Sequence, residues 1–455
     1  MTTVNRAWGH LSLRGKVIIP LLFLVLIVGP IVTILFANVV GPWLADLLGA
    51  NPQIVRFVVA IGGVLLFSIP AAFIIIYMEL KVIAFMNLRI GPDRVGPKGA
   101  FHSLVAGLKV LTKEDFTPTG ADHIVFTWAP VLVFLTAVMT FLVIPFGPGL
   151  VGQDLNIGLL YLFAVGGMSV VGLLLAGWAS FNKYSLLGGL RAAAQVVSYE
   201  IPLTLSVVGL ILLAGTLSLN RIAEAQAGWF TDWYVFRQPL GALIFFIAAT
   251  AEANRTPFDM AEADSEIVAG FATEYSGMRF GFLFFAEYVN VFIISALLVT
   301  LFFGAWNAPV DINSILALVG LSPIAVTLDP ASLGVGPLFL MLVVPVVLTV
   351  IFAVPFYLAR STRPAWQALV LGFLLFILVA VGLLFLLAYI GWPWMAGLVW
   401  FMGKSFLFVY VFVWMRGTFP RVRIDQLMGF AWKWLLPAAL LNLFVTAAAI
   451  IIVKS

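Results

Sequence analysis

No cysteine occurs anywhere in the 455 residues, so the chain can form no disulfide, hold no iron–sulfur cluster and build no thiolate metal site. Any redox metal that serves its function belongs to a partner. Histidine is nearly as scarce: His10, His102 and His123 are the three present, and all lie outside the apolar runs. The paired axial histidines of a membrane-buried haem are therefore missing, which excludes a cytochrome b-like carrier. Charge is the third shortage, at 10% of residues against 63% hydrophobic. Length alone would suggest several soluble domains, and this composition sets that expectation aside.

What the chain has instead is apolar runs of about 20 residues, repeated from end to end, each long enough to cross a roughly 30 Å hydrocarbon core. Backbone polar groups in lipid must be satisfied within the segment, and no β alternation is present, so the runs predict α-helices. Spans are expected at 17–40, 55–78, 124–146, 157–180, 200–219, 239–252, 280–304, 337–358, 367–391, 394–415 and 434–453. The expected fold is an all-α integral membrane protein, one polytopic domain over residues 1–455 with about eleven helices. The run at 239–252 is short, and 394–415 carries Lys404 inside it. The first run exceeds a signal h-region and is expected to remain as a helix of the mature protein. No internal repeat is visible, which argues against transporters made of two related halves.

Charge placement tests this map independently, because cytoplasmic loops hold the excess of Lys and Arg. With a cytoplasmic N-terminus, nineteen bases fall inside, among them Arg6, Arg14, Lys16, six from Lys81 to Lys113, Arg255, Arg279 and Arg416. Arg56, Arg221, Arg237 and Lys454 fall outside. The C-terminus is then external. The inner loops 79–123, 181–199, 253–279 and 416–433 hold most of the charge, so the chemistry is expected to face the cytoplasm. The long outer connection 305–336 reads as turns or a short interfacial helix.

The stretch AEANRTPFDMAEADSE, residues 251–266, gathers Glu252, Asp259, Glu262, Asp264 and Glu266, a quarter of the twenty acids in the chain. It parses as a helix start, with Thr256 as N-cap and Pro257 at the first helical position. Asp259, Glu262 and Glu266 would then share one face. Like charges so spaced repel by roughly 0.2 to 0.5 kcal/mol even when solvated, so the stripe is either functional or met by bases on neighbouring loops. Inside the apolar runs, Glu287 and Lys404 must face the bundle interior, pair or titrate, because lipid exposure costs several kcal/mol. Glu200 and Glu252 lie at the inner mouths of their spans, and Glu79 ends another. Such acids with one lysine suit a proton route; a static Glu287–Lys404 pair is the plainer alternative. The loop from Glu79 to Pro118 mixes bases with apolar residues as a headgroup-plane segment would. Its RIGPDRVGP turn, with Arg89 and Arg94, looks more like a shaped rim.

Four stretches, MELKVIAFMNLRIGPDRVGP, GWASFNKYSLLGGLRAAAQVVSYE, AEANRTPFDMAEADSEIVAGFATEYSG and RGTFPRVRIDQLMGFAWKWLLP, resemble in order the quinone-chamber membrane subunits of the proton-pumping NADH:quinone oxidoreductase, respiratory complex I, in its mitochondrial and bacterial forms. The resemblance implies a bacterial-type cell membrane and a quinone tunnel opening to the bilayer. Quinone would be the substrate, reduced at a peripheral-arm subunit near the terminal iron–sulfur cluster, with FMN and the clusters on partner subunits. It further implies that Arg89, Arg255, Asp259, Glu262, Glu266 and Glu274 belong to the quinone chamber. Glu200, Glu252 and Glu287 would begin a proton path toward antiporter-like membrane subunits, with Lys404 neutralising or modulating it.

The sequence departs from the family pattern at Leu80, where a base is usual, at Ala253, where a threonine is usual, and at Asp264, usually Glu. The spans 17–40, 337–358 and 367–391 look additional to the usual eight. Two alternatives remain at this stage. One is the related anchor subunit of a membrane-bound hydrogenase. The other, a stand-alone cation/proton antiporter, explains the buried charges and leaves the four elaborate inner loops unexplained.

Overall fold

A computed structural model describes residues 52–96, 99–260, 267–309 and 393–454. The expected spans 17–40, 337–358 and 367–391 lie outside the described residues, as do Glu262, Asp264, Glu266 and most of the 305–336 connection. In chain order the helices are α1 (Pro52–Met86), α2 (His102–Leu111), α3 (His123–Thr140), α4 (Gly158–Ala179), α5 (Lys183–Ala214), α6 (Leu219–Glu224), α7 (Tyr234–Arg237), α8 (Pro239–Glu252), α9 (Gly277–Phe302), α10 (Pro393–Thr418), α11 (Ile424–Phe430) and α12 (Leu436–Lys454). Among the described residues seven helical stretches are long and apolar enough to cross a membrane. With α8, they correspond to the eight expected spans that fall within the described residues.

At 14 residues, α8 is only about 21 Å long. It needs no lipid-matched length, because Ala242, Ile244, Phe245, Ala248 and Ala251 are buried in protein and its backbone bonds are satisfied there. α9 is the hub. Its most apolar window is 72% buried, more than that of any other span among the described residues, and α1, α2, α3, α8 and α10 all pack on it. Charged side chains on α9 are thereby kept from lipid. At its core Phe292 meets Phe67 edge-on with ring centroids 5.3 Å apart and stacks on Phe141 at 5.8 Å.

Two sequence expectations require correction. The inner segment 181–199 is not a loop: α5 starts at Lys183, with the Asn182 side chain accepting from the Tyr184 amide at 2.9 Å. Its Gly188-Gly189 pair, which looks like a breaker, is a contact surface. A Cβ on Gly188 would stand 2.5 Å from Gly270 Cα, and one on Gly189 3.2 Å from Gly177 Cα. Nor does a helix start at Thr256. The chain turns there, with the Phe258 amide donating to Arg255 O at 2.8 Å. Tertiary bonds claim the backbone that a helix would use: Val422 N donates to Pro257 O at 3.0 Å, and Gln195 Nε2 to Phe258 O at 2.7 Å.

Candidate functional site

The ends of α1, α8, α9 and α10 that the charge pattern assigns to one side do meet, through buried charge. Arg255, 4% exposed, leaves the turn after α8 and reaches Glu79 Oε2 on α1 at 3.4 Å and Glu287 Oε1 on α9 at 3.3 Å. Arg416, near the end of α10, closes the group by pairing with the other oxygen of Glu79. Two acids and two bases balance, as burial requires, since an unpaired charge there costs several kcal/mol. Burial works against the Arg255 charge, but Glu287 and Glu79 outweigh it and hold the guanidinium above its ordinary range. Beside this group Asp259 pairs with Arg421 at 3.2 Å, so one acid of the expected stripe does meet a base on a neighbouring loop.

Glu287 therefore does not pair with Lys404. The Lys404 ammonium donates to the carbonyl oxygens of Phe303 at 2.7 Å and Asn307 at 2.9 Å, over the Trp233 ring at 4.7 Å. Phe303 caps the far end of α9, sixteen residues and about 24 Å along the helix from Glu287, and Asn307 lies in the turn beyond it. A lysine there complements the orphan carbonyls of a helix C-terminus.

From the charge group two cavities extend. A small one, about 70 Å³, is lined by Glu252, Asn254, Glu287, Asn290, Ser169 and Thr136 among others. A water needs roughly 10–15 Å³ by this measure, so there is room for a few. Glu252 and Glu200 continue past it, against consecutive glycines of α4. A Cβ on Gly166 would lie 3.8 Å from Glu252 Oε1, and one on Gly167 3.5 Å from Glu200 Oε1. The structure thus brings together Glu287, Glu252 and Glu200 in one polar seam.

The second cavity is larger, about 580 Å³, and is walled by α1, α2 and α9. Phe73, Ile76, Leu80, Leu108, Phe284 and Phe285 make it almost wholly apolar. Leu80, the departure from the family's base, is part of this wall. Ala253, the lost threonine, lines the small cavity. Tyr288 joins the two regions: its ring lines the apolar cavity and carries the Arg255 guanidinium on its face at 4.3 Å, an attractive cation–π geometry.

Two other expected chamber residues, Arg89 and Glu274, make contacts of their own. Arg89 is exposed, just past the end of α1, its amide bonded to Ala84 O at 2.9 Å. Glu274 is held by the Asn182 amide at 2.6 Å. Conversely, Glu79 and Arg416 were legible only as a span end and a counted base, and Tyr288 and Gln195 carried no sequence signal. Glu79 is an acid in an apolar run, so the argument that flags Glu287 flags it too.

The description "NADH dehydrogenase" fits two segments of the chain, residues 58–388 and 365–447. Three relatives are each named as the H subunit of NADH-quinone oxidoreductase, the second with the suffix 1. The protein of Carboxydothermus hydrogenoformans is 37% identical over 85% of this chain and 87% of its own length. That of Solibacter usitatus is 42% identical over 81% and 90%, and that of Brevibacillus brevis 40% over 86% and 92%. The chain belongs to the NADH dehydrogenase family. The family match starts at residue 58, so every described side chain discussed above lies within matched sequence.

Proposed function

We propose that this chain is the membrane subunit through which an NADH:quinone oxidoreductase admits quinone and couples its reduction to proton movement. The observation that supports this most is the junction at Tyr288. A long apolar tail needs a dry groove between helices, which the α1–α2–α9 cavity offers. A headgroup that gains electrons and protons needs fixed charge where the groove ends, and Arg255 stands there. Electrons come from an iron–sulfur cluster on a peripheral-arm subunit, and FMN also belongs to a partner; this chain supplies position and charge. The relatives' shared name favours this reading over a hydrogenase anchor.

Reduction changes the charge beside Tyr288, which alters how Arg255 divides itself between Glu79 and Glu287. Glu287, released from Arg255, then takes up a proton and passes it through the small cavity to Glu252 and Glu200, toward antiporter-like subunits. Arg89, Asp259, Glu262, Glu266 and Glu274 would complete the chamber's cytoplasmic wall, with the N-terminus cytoplasmic and the C-terminus external. Lys404 would act at a distance, by fixing the outer end of α9. The test is Glu287→Gln in the assembled complex. Coupled turnover and proton uptake should fall together by at least about tenfold, equivalent to roughly 1.4 kcal/mol on the barrier. Wild-type values of both would contradict the proposal.

A further inference from the structure

The turn that presents Arg255 is itself braced by a single side chain. Gln195, on the inner half of α5, is fully buried. Its Nε2 donates to Ala251 O at 2.8 Å and to Phe258 O at 2.7 Å, and faces Asn254 Oδ1 at 3.1 Å. Two backbone carbonyls can only accept, so they fix which end of the amide is nitrogen. That nitrogen has two hydrogens, and they join the two ends of the 251–258 segment. Between those ends Asn254 sits at φ 49°, in the left-handed region, and Arg255 follows it. Backbone bonds shape the turn locally, Phe258 N donating to Arg255 O at 2.8 Å and Asn254 N to Ala251 O at 3.2 Å, but the Arg255 amide reaches Thr250 O only at 3.4 Å and none of the three joins residue 251 to residue 258.

Arg255 must meet carboxylates on two different helices at once, and such constellations tolerate displacements of only about 0.5 Å. We propose that Gln195 is a positioning residue, bracing the 251–258 turn so that Arg255 stands between Glu79 and Glu287. The same helix turn ties it to other inner segments. Tyr199, four residues on, donates to Leu427 O at 2.9 Å, and Glu200 is next in the chain. A shift of α5 at Glu200 is thereby transmitted to the turn that carries Arg255. The effect on turnover rests on the proton-route reading above, whereas the brace does not.

The experiment uses the whole complex in membranes. Because the chain has no native cysteine, Ala253→Cys, in a buried position, reports on the turn through its labelling by N-ethylmaleimide. Gln195→Met keeps the side-chain length and removes both hydrogens. It should raise the labelling rate by at least about tenfold, as local opening of the turn becomes easier; an unchanged rate overturns the brace. Gln195→Glu supplies the second reading should the methionine variant not assemble. A protonated carboxyl donates one hydrogen bond and an ionised one donates none. Quinone turnover relative to wild type should therefore fall as pH rises through the titration of the new group. A packing role gives turnover below wild type by the same factor at every pH, and that result overturns the positioning role. Faster labelling with wild-type turnover at every pH would uphold the brace and sink the proton-route reading instead.

Discussion

Arg255 is the residue on which the site depends, because it forms ion pairs with acids from α1 and α9 together. Arg255→Leu should destabilise the chain by roughly 3–5 kcal/mol, since Glu79 and Glu287 are left buried without their shared counter-charge. The loss is read as reduced assembled complex and earlier thermal dissociation. Arg255→Lys retains charge but not the planar fork, so its assembly and turnover should fall between those of wild type and the leucine variant. At this scale the sequence yields costs and not partners. An acid inside an apolar run signals that something must compensate it, which is how Glu287 was legible. Which base does so is decided by packing: Lys404 was the obvious candidate along the chain, yet it bonds carbonyls at the other end of α9.

Helices were legible where apolar runs are long, and their inner ends were not. α5 runs to Lys183 because Gly188 and Gly189 are surfaces for close approach, which a propensity reading takes for breaks. Likewise Thr256-Pro257 has the composition of a helix start, but tertiary bonds to Pro257 O and Phe258 O hold it as a turn. A Cβ on Gly188 would press backbone on backbone, 2.5 Å from Gly270 Cα. Gly188→Val should therefore separate α5 from the 270–272 turn and cost about 1–3 kcal/mol. Thermal unfolding of the complex measures it, and an unchanged midpoint would mean that the contact relaxes freely.

Over the whole molecule, the proposed function makes this cysteine-free chain the part that positions a reaction carried out on partner subunits. The apolar cavity was not legible, because its walls join the consecutive helices α1 and α2 to α9, far along the chain; the polar seam was partly legible, because each of its acids is anomalous by itself. Leu80 is one of the side chains that keep this cavity apolar. Leu80→Glu puts a carboxylate on the α1 wall, so the KM for a long-tailed quinone should rise by about tenfold, the scale of ~1.4 kcal/mol of lost binding. Electron transfer from NADH to a water-soluble acceptor, which needs no membrane cavity, should stay at its wild-type rate.

The central claim is that the apolar cavity leads quinone to the Arg255–Glu79–Glu287 group. It is tested most directly by a density map of the assembled complex with a long-tailed quinone analogue bound. The account predicts tail density between α1, α2 and α9, past Leu80 and Phe285, with the headgroup end directed at Tyr288 and Arg255. An analogue bound with that cavity empty, or a tail that enters between other helices, would contradict it.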